Sequence, residues 1–144
     1  MSLPTPRPGL VVRYAFLWSH EQTRGREEAS KDRPCAIVLA CRRLPDGTLR
    51  TAVAPINHRQ PDDPTASIPI PAKVATRLGP DAGQHWIRID ELNVFGWPGY
   101  DLRPIPGSAG RYDYGMLPKD LFERVKAAIL ERQRRLAGSF IDRD

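Results

Sequence analysis

The sequence predicts a small antiparallel β-sheet, curled toward a barrel and covered by a C-terminal helix: mainly β with helices, an α+β protein. Three observations predict it. Short stretches rich in β-branched and aromatic residues recur with turn signals between them. Neither a βαβ alternation nor an internal repeat occurs, and one long helical period stands near the C-terminus. At 144 residues the chain is one domain, 1–144, with a core over about residues 8–137 that needs no staples.

Each element has its own local reason. Pro8-Gly9 introduces LVVRYAFLW, residues 10–18, as the first strand. The polar run SHEQTRGREEASKD, residues 19–32, has no period and reads as a long loop, a length often tied to function. In KDRPCAIVLA, three charges and a proline give way at once to an apolar strand, placing Arg33 at its mouth; the strand is expected over 33–41. Pro45-Asp46-Gly47 is a turn, and LRTAVAPI, 49–56, returns antiparallel as the third strand. SIPI, 67–70, is a short edge strand, and 71–78 a short helix with Pro71 in its first turn and Gly79 past its end. HWIRI, 85–89, alternates as a strand, and 92–95 extends it; the Gly-, Pro- and Tyr-rich 96–115 is loop. From 117 to 136, Leu121, Val125, Ala128, Ile129 and Leu136 share one helix face.

Composition narrows the class of partner. Lys plus Arg number 22 against 17 Asp plus Glu, a net +5 that favours polyanions without specifying any. No apolar run approaches the roughly 20 residues of a membrane span, and MSLPTPRPG lacks signal-peptide character, so the expectation is a cytoplasmic protein with no membrane partner. Cys35 and Cys41 lie six apart on one expected strand, too far to bridge. With no CxxC or Cys/His cluster, no metal is expected.

GxGxxG, GxxxxGK[ST], HExxH and GxSxG are absent. What remains is a set of polar residues at strand ends: His20 and Glu21, Arg33, Asn57 and His58, Arg88 and Asp90. Arginine, histidine and aspartate in one place suit cleavage of an RNA phosphodiester. The 2′-hydroxyl must lose a proton, the phosphorus centre must be stabilised while five-coordinate, and the 5′-oxygen must gain a proton. An arginine fork matches phosphate oxygens, and His or Asp can move protons. Each residue has a plainer reading as well. Arg88 and Asp90, two apart, can form a surface ion pair; His20 and His58 can be solvated; His85 can be a partly buried strand histidine. Trp18 and Trp86 fit a core, whereas Trp97 and Tyr100 in GWPGYDLRP are the better candidates for stacking on bases.

At these residues the sequence resembles the MazF/PemK family of toxin endoribonucleases. The resemblance rests on Pro8-Gly9-Leu10-Val11-Val12, then Arg33-Pro34 before Cys35-Ala36-Ile37-Val38-Leu39, then Pro55-Ile56-Asn57, then Arg88-Ile89-Asp90-Glu91, in that order over roughly 8–136. It implies an SH3-like barrel with a C-terminal helix, as in MazF/PemK and CcdB toxins. It further implies a metal- and cofactor-independent endoribonuclease acting on single-stranded RNA, a homodimer, and silencing by a cognate antitoxin protein. By position, Arg88, Asp90, Arg33 and His20 carry catalysis; Asn57, His58, Glu21, Trp97 and Tyr100 are the candidates for binding RNA. Asn57 stands where the family has a threonine, and the loop carrying His20 is longer. The alternatives are a non-catalytic member that binds RNA or a protein partner, or a gyrase toxin of the CcdB type; the AGSFIDRD terminus lacks the tryptophan expected of the latter.

Overall fold

The apolar stretches within Leu10–Ala15, Asp32–Arg43 and Leu49–Asn57 lie side by side as neighbouring strands of one pleated sheet. The computed structural model describes residues 3–18, 32–43, 45–78, 83–99, 101–108, 110–135 and 139–143. Among them eight strands run in chain order: β1 Leu10–Ala15, β2 Asp32–Arg43, β3 Leu49–Asn57, β4 Ser67–Ile70, β5 His85–Arg88, β6 Glu91–Trp97, β7 Asp113–Met116 and β8 Ser139–Asp142. Two α-helices, α1 Ala72–Arg77 and α2 Lys119–Arg135, and a 3₁₀ turn at Pro64–Ala66 complete the elements.

The sheet follows the order β4-β5-β3-β2-β1-β7, with β6 on β3 and β8 on β6. All pairings are antiparallel except β6 with β8. One edge of β3 is shared: β6 takes Leu49 to Val53, and β5 takes Ile56 and Asn57. The handover falls at Ala54-Pro55, and proline has no N–H to give a ladder. The sheet bends there, and the short link between β5 and β6 puts Arg88 and Asp90 at the corner.

Alternation sends the two faces of the sheet into two cores. Val11, Ala36, Ala54, Ile56 and Ile87 pack under the helices against Val74, Leu121, Val125 and Ile129. Val12, Tyr14, Cys35, Ile37 and Val53 face the other way, onto Phe16, Trp18, Phe95 and Trp97. In α2 the buried residues Leu121, Val125 and Ile129 recur every fourth position, the stripe a one-sided helix needs. Gly9, with φ +97°, turns the chain into β1; a Cβ there would lie 3.1 Å from Met116 Cε, so the left-handed turn and the close approach both favour glycine.

The predicted first strand ends at Ala15, and residues 16–18 continue outside the ladder with Phe16, Leu17 and Trp18 buried. Three strands were not anticipated as such: β6 as a separate strand, β7 within the expected loop, and β8. Their pairings are long-range, which local composition does not report. No helix among the described residues is long and apolar enough to cross a membrane.

Candidate functional site

Register decides what the strand ends display. Tyr14 lies opposite Arg33, Cys35 opposite Pro55, Asn57 opposite Trp86, and Ser67 opposite Arg88. Cross-strand partners, and residues two apart on one strand, share a face. Arg33, Asn57, Trp86 and Arg88 therefore stand on the face of the aromatic core, just beyond its end.

Trp18 is where the two arginines meet. The Arg33 guanidinium lies 5.1 Å from the indole centroid and that of Arg88 5.3 Å, within cation–π range. Two arginines from separate strands thus share one ring, their charged centres at most about 10 Å apart. Arg88 also donates to both oxygens of Asp90, from Nε at 2.8 Å and NH2 at 2.7 Å, with Glu91 at 3.9 Å. The Asp90 hydrogen bonds push the Arg88 pKa up against the opposing effect of desolvation, and Asp90, Glu91 and Asp62 add attraction. Cys35 lies inward of Arg33; burial pushes its thiol far up while the Arg33 charge pulls the other way.

On the other side of Arg33 a cleft of about 650 Å³ opens between the start of β2, the ends of β3 and α1, the start of β5 and the loop before β7. Arg13, Arg33, Arg77 and Arg111 line it. Three of these are held by neutral oxygens: Arg13 NH1 donates to Tyr114 Oη at 3.2 Å, Arg77 NH2 to the Met116 carbonyl at 3.1 Å, and Arg111 Nε to the Asp113 carbonyl at 2.9 Å. None of the three has a carboxylate within 4.0 Å among the described residues. Asp32, the one acidic side chain among the described residues lining the cleft, lies 3.7 Å from Arg103. Arginines without counter-charges make a positive concavity, the electrostatic setting for an anion. Asn57 also lines the cleft, and its Oδ1 is shielded from solvent and accepts no hydrogen bond among the described residues.

Two histidines share this wall. His58 and His85 present their rings 6.3 Å apart at 66°. The β3–β5 register explains the pairing: Asn57 is opposite Trp86, and one step further sets His58 opposite His85. His85 Nδ1 lies 3.1 Å from the Gly83 carbonyl. A carbonyl only accepts, so Nδ1 is the donor here, and in the neutral imidazole Nε2 is then the nitrogen with the lone pair.

Of the candidate residues, Arg33, Asn57 and His58 line the cleft, and Arg33 joins Arg88 and Asp90 at Trp18. Arg88 and Asp90 lie at the β5–β6 corner and do not line the cleft. Trp97 is corrected: β6 runs through residue 97 and turns the indole inward, 6% exposed, 6.1 Å from the Phe95 ring. A ring so enclosed offers no face to a base. His20, Glu21 and Tyr100 lie outside the described residues. Sequence reasoning passed over Arg13, Arg77 and Arg111, gave Trp18 only a core role, and read His85 as a partly buried strand histidine. Strand-end position was the available signal for His85; for the arginines, nothing local marked them.

Among the described residues no group of three or more His, Cys, Asp or Glu side chains is placed to hold a metal ion. No family model, curated protein or solved structure matches the chain.

Proposed function

We propose that the protein is a metal-independent endoribonuclease of single-stranded RNA, a toxin of the MazF/PemK type with an SH3-like barrel. The observation that carries the reading is the convergence of Arg33 and Arg88, from two separate strands, on the Trp18 ring beside Asp90. Guanidinium forks suit the non-bridging oxygens of a phosphodiester and the charge that grows on them as the 2′-oxygen attacks. Asp90 holds the Arg88 plane, and the adjoining cleft gives neighbouring phosphates of the strand a positive path.

In this chemistry the 2′-oxygen forms a bond to phosphorus, the P–O5′ bond breaks, and the products are a 2′,3′-cyclic phosphate and a 5′-hydroxyl. By the same resemblance the toxin acts as a homodimer and an acidic antitoxin segment silences it by occupying the basic trough. Purified protein incubated with a long single-stranded RNA in EDTA tests the reading: fragments with cyclic-phosphate ends support it, and intact RNA after long incubation overturns it.

A second reading, an RNA-binding protein that does not cut, is favoured by one observation. Asp90 engages the Nε–NH2 edge of Arg88 with both its oxygens, which withholds that edge from a phosphate. Tight binding of single-stranded RNA without fragments would favour this second reading.

A further inference from the structure

We infer that His85 and His58 are the proton-transfer pair for a phosphodiester held in the cleft at Arg33, the guanidinium shared by the cleft and the Trp18 ring, His85 taking the proton from the 2′-hydroxyl and His58 giving one to the 5′-oxygen. The inference rests on the endoribonuclease reading and assigns two roles that the sequence resemblance gives to other residues.

Four features of the cleft carry it. The rings stand 6.3 Å apart, too far to bond each other and near enough for both to reach one phosphodiester through hydrogen bonds of about 2.8 Å. The Gly83 carbonyl fixes the His85 tautomer with Nε2 as acceptor, the form a general base needs. His58 follows β3 and is exposed, whereas His85 opens β5 and is half-buried, so the two rings approach a strand in the cleft from different elements. The charged and titratable neighbours are Arg13 from β1, Asp32 and Arg33 from β2, Arg77 from α1, Arg111 before β7, and Tyr114 of β7. Of these only Asp32 is anionic, and it sits beside Arg103. A phosphate drawn in by the arginines is thus delivered between two imidazoles, side chains able both to accept and to donate a proton.

The proton balance closes within the pair. Neutral His85 accepts the 2′-hydroxyl proton at Nε2 as the O2′–P bond forms, and protonated His58 donates to O5′ as the P–O5′ bond breaks. Exchange with water then returns both rings to their starting forms. No oxidant, reductant or other reactant enters.

The experiment compares wild type with His58→Ala, His85→Ala and His85→Asn, the last keeping a side-chain N–H for Gly83. Cleavage of single-stranded RNA in EDTA should fall by roughly 10²- to 10⁴-fold in each variant, with binding of a 2′-deoxy oligonucleotide held within about threefold, against the roughly tenfold change that 1.4 kcal/mol represents. The wild-type rate should be bell-shaped in pH, with the acidic limb lost on replacing His85 and the alkaline limb on replacing His58. A substrate with sulfur in place of the 5′-bridging oxygen, whose leaving group needs no proton, should restore His58→Ala and not His85→Ala. Variants that cut at the wild-type rate would overturn the histidine assignment and leave the nuclease reading standing. Should wild type cut nothing, the nuclease reading falls, and with it the proton-transfer roles. NMR titration of the two imidazoles with the 2′-deoxy oligonucleotide separates the cases: both midpoints should rise on binding, and unmoved midpoints would overturn the placement of the pair beside a phosphate.

Discussion

Arg88 grips Asp90 through both carboxylate oxygens, Nε to Oδ1 at 2.8 Å and NH2 to Oδ2 at 2.7 Å, at the corner where β5 gives way to β6. The side chains are 24% and 20% exposed, so the pair orients the guanidinium more than it stabilises the fold. Arg88→Ala should lower RNA cleavage more than 10²-fold, comparable to removing one preorganised donor, while the melting free energy falls by about 1 kcal/mol. Arg88→Lys should not restore cutting, because an ammonium cannot span two carboxylate oxygens and present a plane to the Trp18 ring. Gel assays of RNA cleavage beside thermal melts measure both quantities, and an Arg88→Ala protein that cuts normally would remove Arg88 from the site.

The shared indole makes a separable prediction. Trp18 is 8% exposed, so Trp18→Leu keeps an apolar core residue while deleting the ring face under Arg33 and Arg88, together with the edge contact to Phe16. RNA affinity should weaken about fivefold, in line with roughly 1 kcal/mol for a cation–π contact, and Trp18→Phe should recover part of it. Equal affinity for the Leu and Phe proteins would show that the ring is only packing.

Arg77 and Arg111 are expected to meet phosphates rather than protein carboxylates. For a single strand each neutralised phosphate adds roughly 0.7 to the slope of log K against log salt. Arg77→Ala and Arg111→Ala should each reduce the slope by about that much, and by roughly twice as much together. Arg134, paired with Glu131 on the outer face of α2, serves as the control, and its replacement should leave the slope unchanged. Titrations at several salt concentrations give the slope, which would stay constant in every variant if the cleft does not hold RNA.

Two surface turns contribute to the acid limb of stability. Asp46 accepts from Thr48 N at 3.0 Å and Oγ1 at 2.7 Å, and Asp63 from Thr65 N at 2.9 Å and Oγ1 at 2.7 Å. The threonine hydroxyl bonds, then the backbone ones, hold both carboxyls below their ordinary range. A depressed folded-state pKa gives stability that is present above the unfolded value, about 3.9 for Asp, and is lost as pH falls through the folded one. Asp46→Asn with Asp63→Asn should therefore melt below wild type at pH 7, the gap closing below about pH 4. A gap that persists at pH 2 would place the effect elsewhere.

Strand composition and turn chemistry made β1 to β5 and the stripe of α2 legible, because those signals are local. The strand-end positions of Arg33, Asn57, His58 and Arg88 were legible for the same reason. The meeting of Arg33 and Arg88 at Trp18 was not, since it depends on residues 16–18 leaving the ladder with Trp18 buried. Nor was the approach of His58 to His85, which needs the β3–β5 register across 27 residues of chain. Trp97 misled because the Gly and Pro after it mark a loop, while the ring itself ends a buried strand.

The platform at Trp18 depends on one buried amide. Asn93, 0% exposed on β6, accepts from the Leu17 N–H at 2.9 Å and donates Nδ2–H to the Leu17 carbonyl at 2.9 Å. Its Oδ1 also receives Arg143 NH1 at 3.1 Å, and Arg143 donates to the Ala15 carbonyl and pairs with Asp101 at 3.0 Å. The amide thus substitutes for a strand partner just where β1 has ended, fixing the residue before Trp18. Asn93→Ala leaves a buried donor and a buried acceptor unmade, each worth about 1–3 kcal/mol, so stability should drop by roughly 3 kcal/mol. Asn93→Asp keeps the acceptor and strengthens the contact with Arg143 but loses the donor, and should fall between. The Leu17 amide should be slow to exchange with deuterium in wild type and fast in Asn93→Ala, with RNA cleavage reduced well below the melting temperature. If Asn93→Ala melts within a degree of wild type and Leu17 stays protected, the platform is held by packing of Phe16 and Trp18 instead.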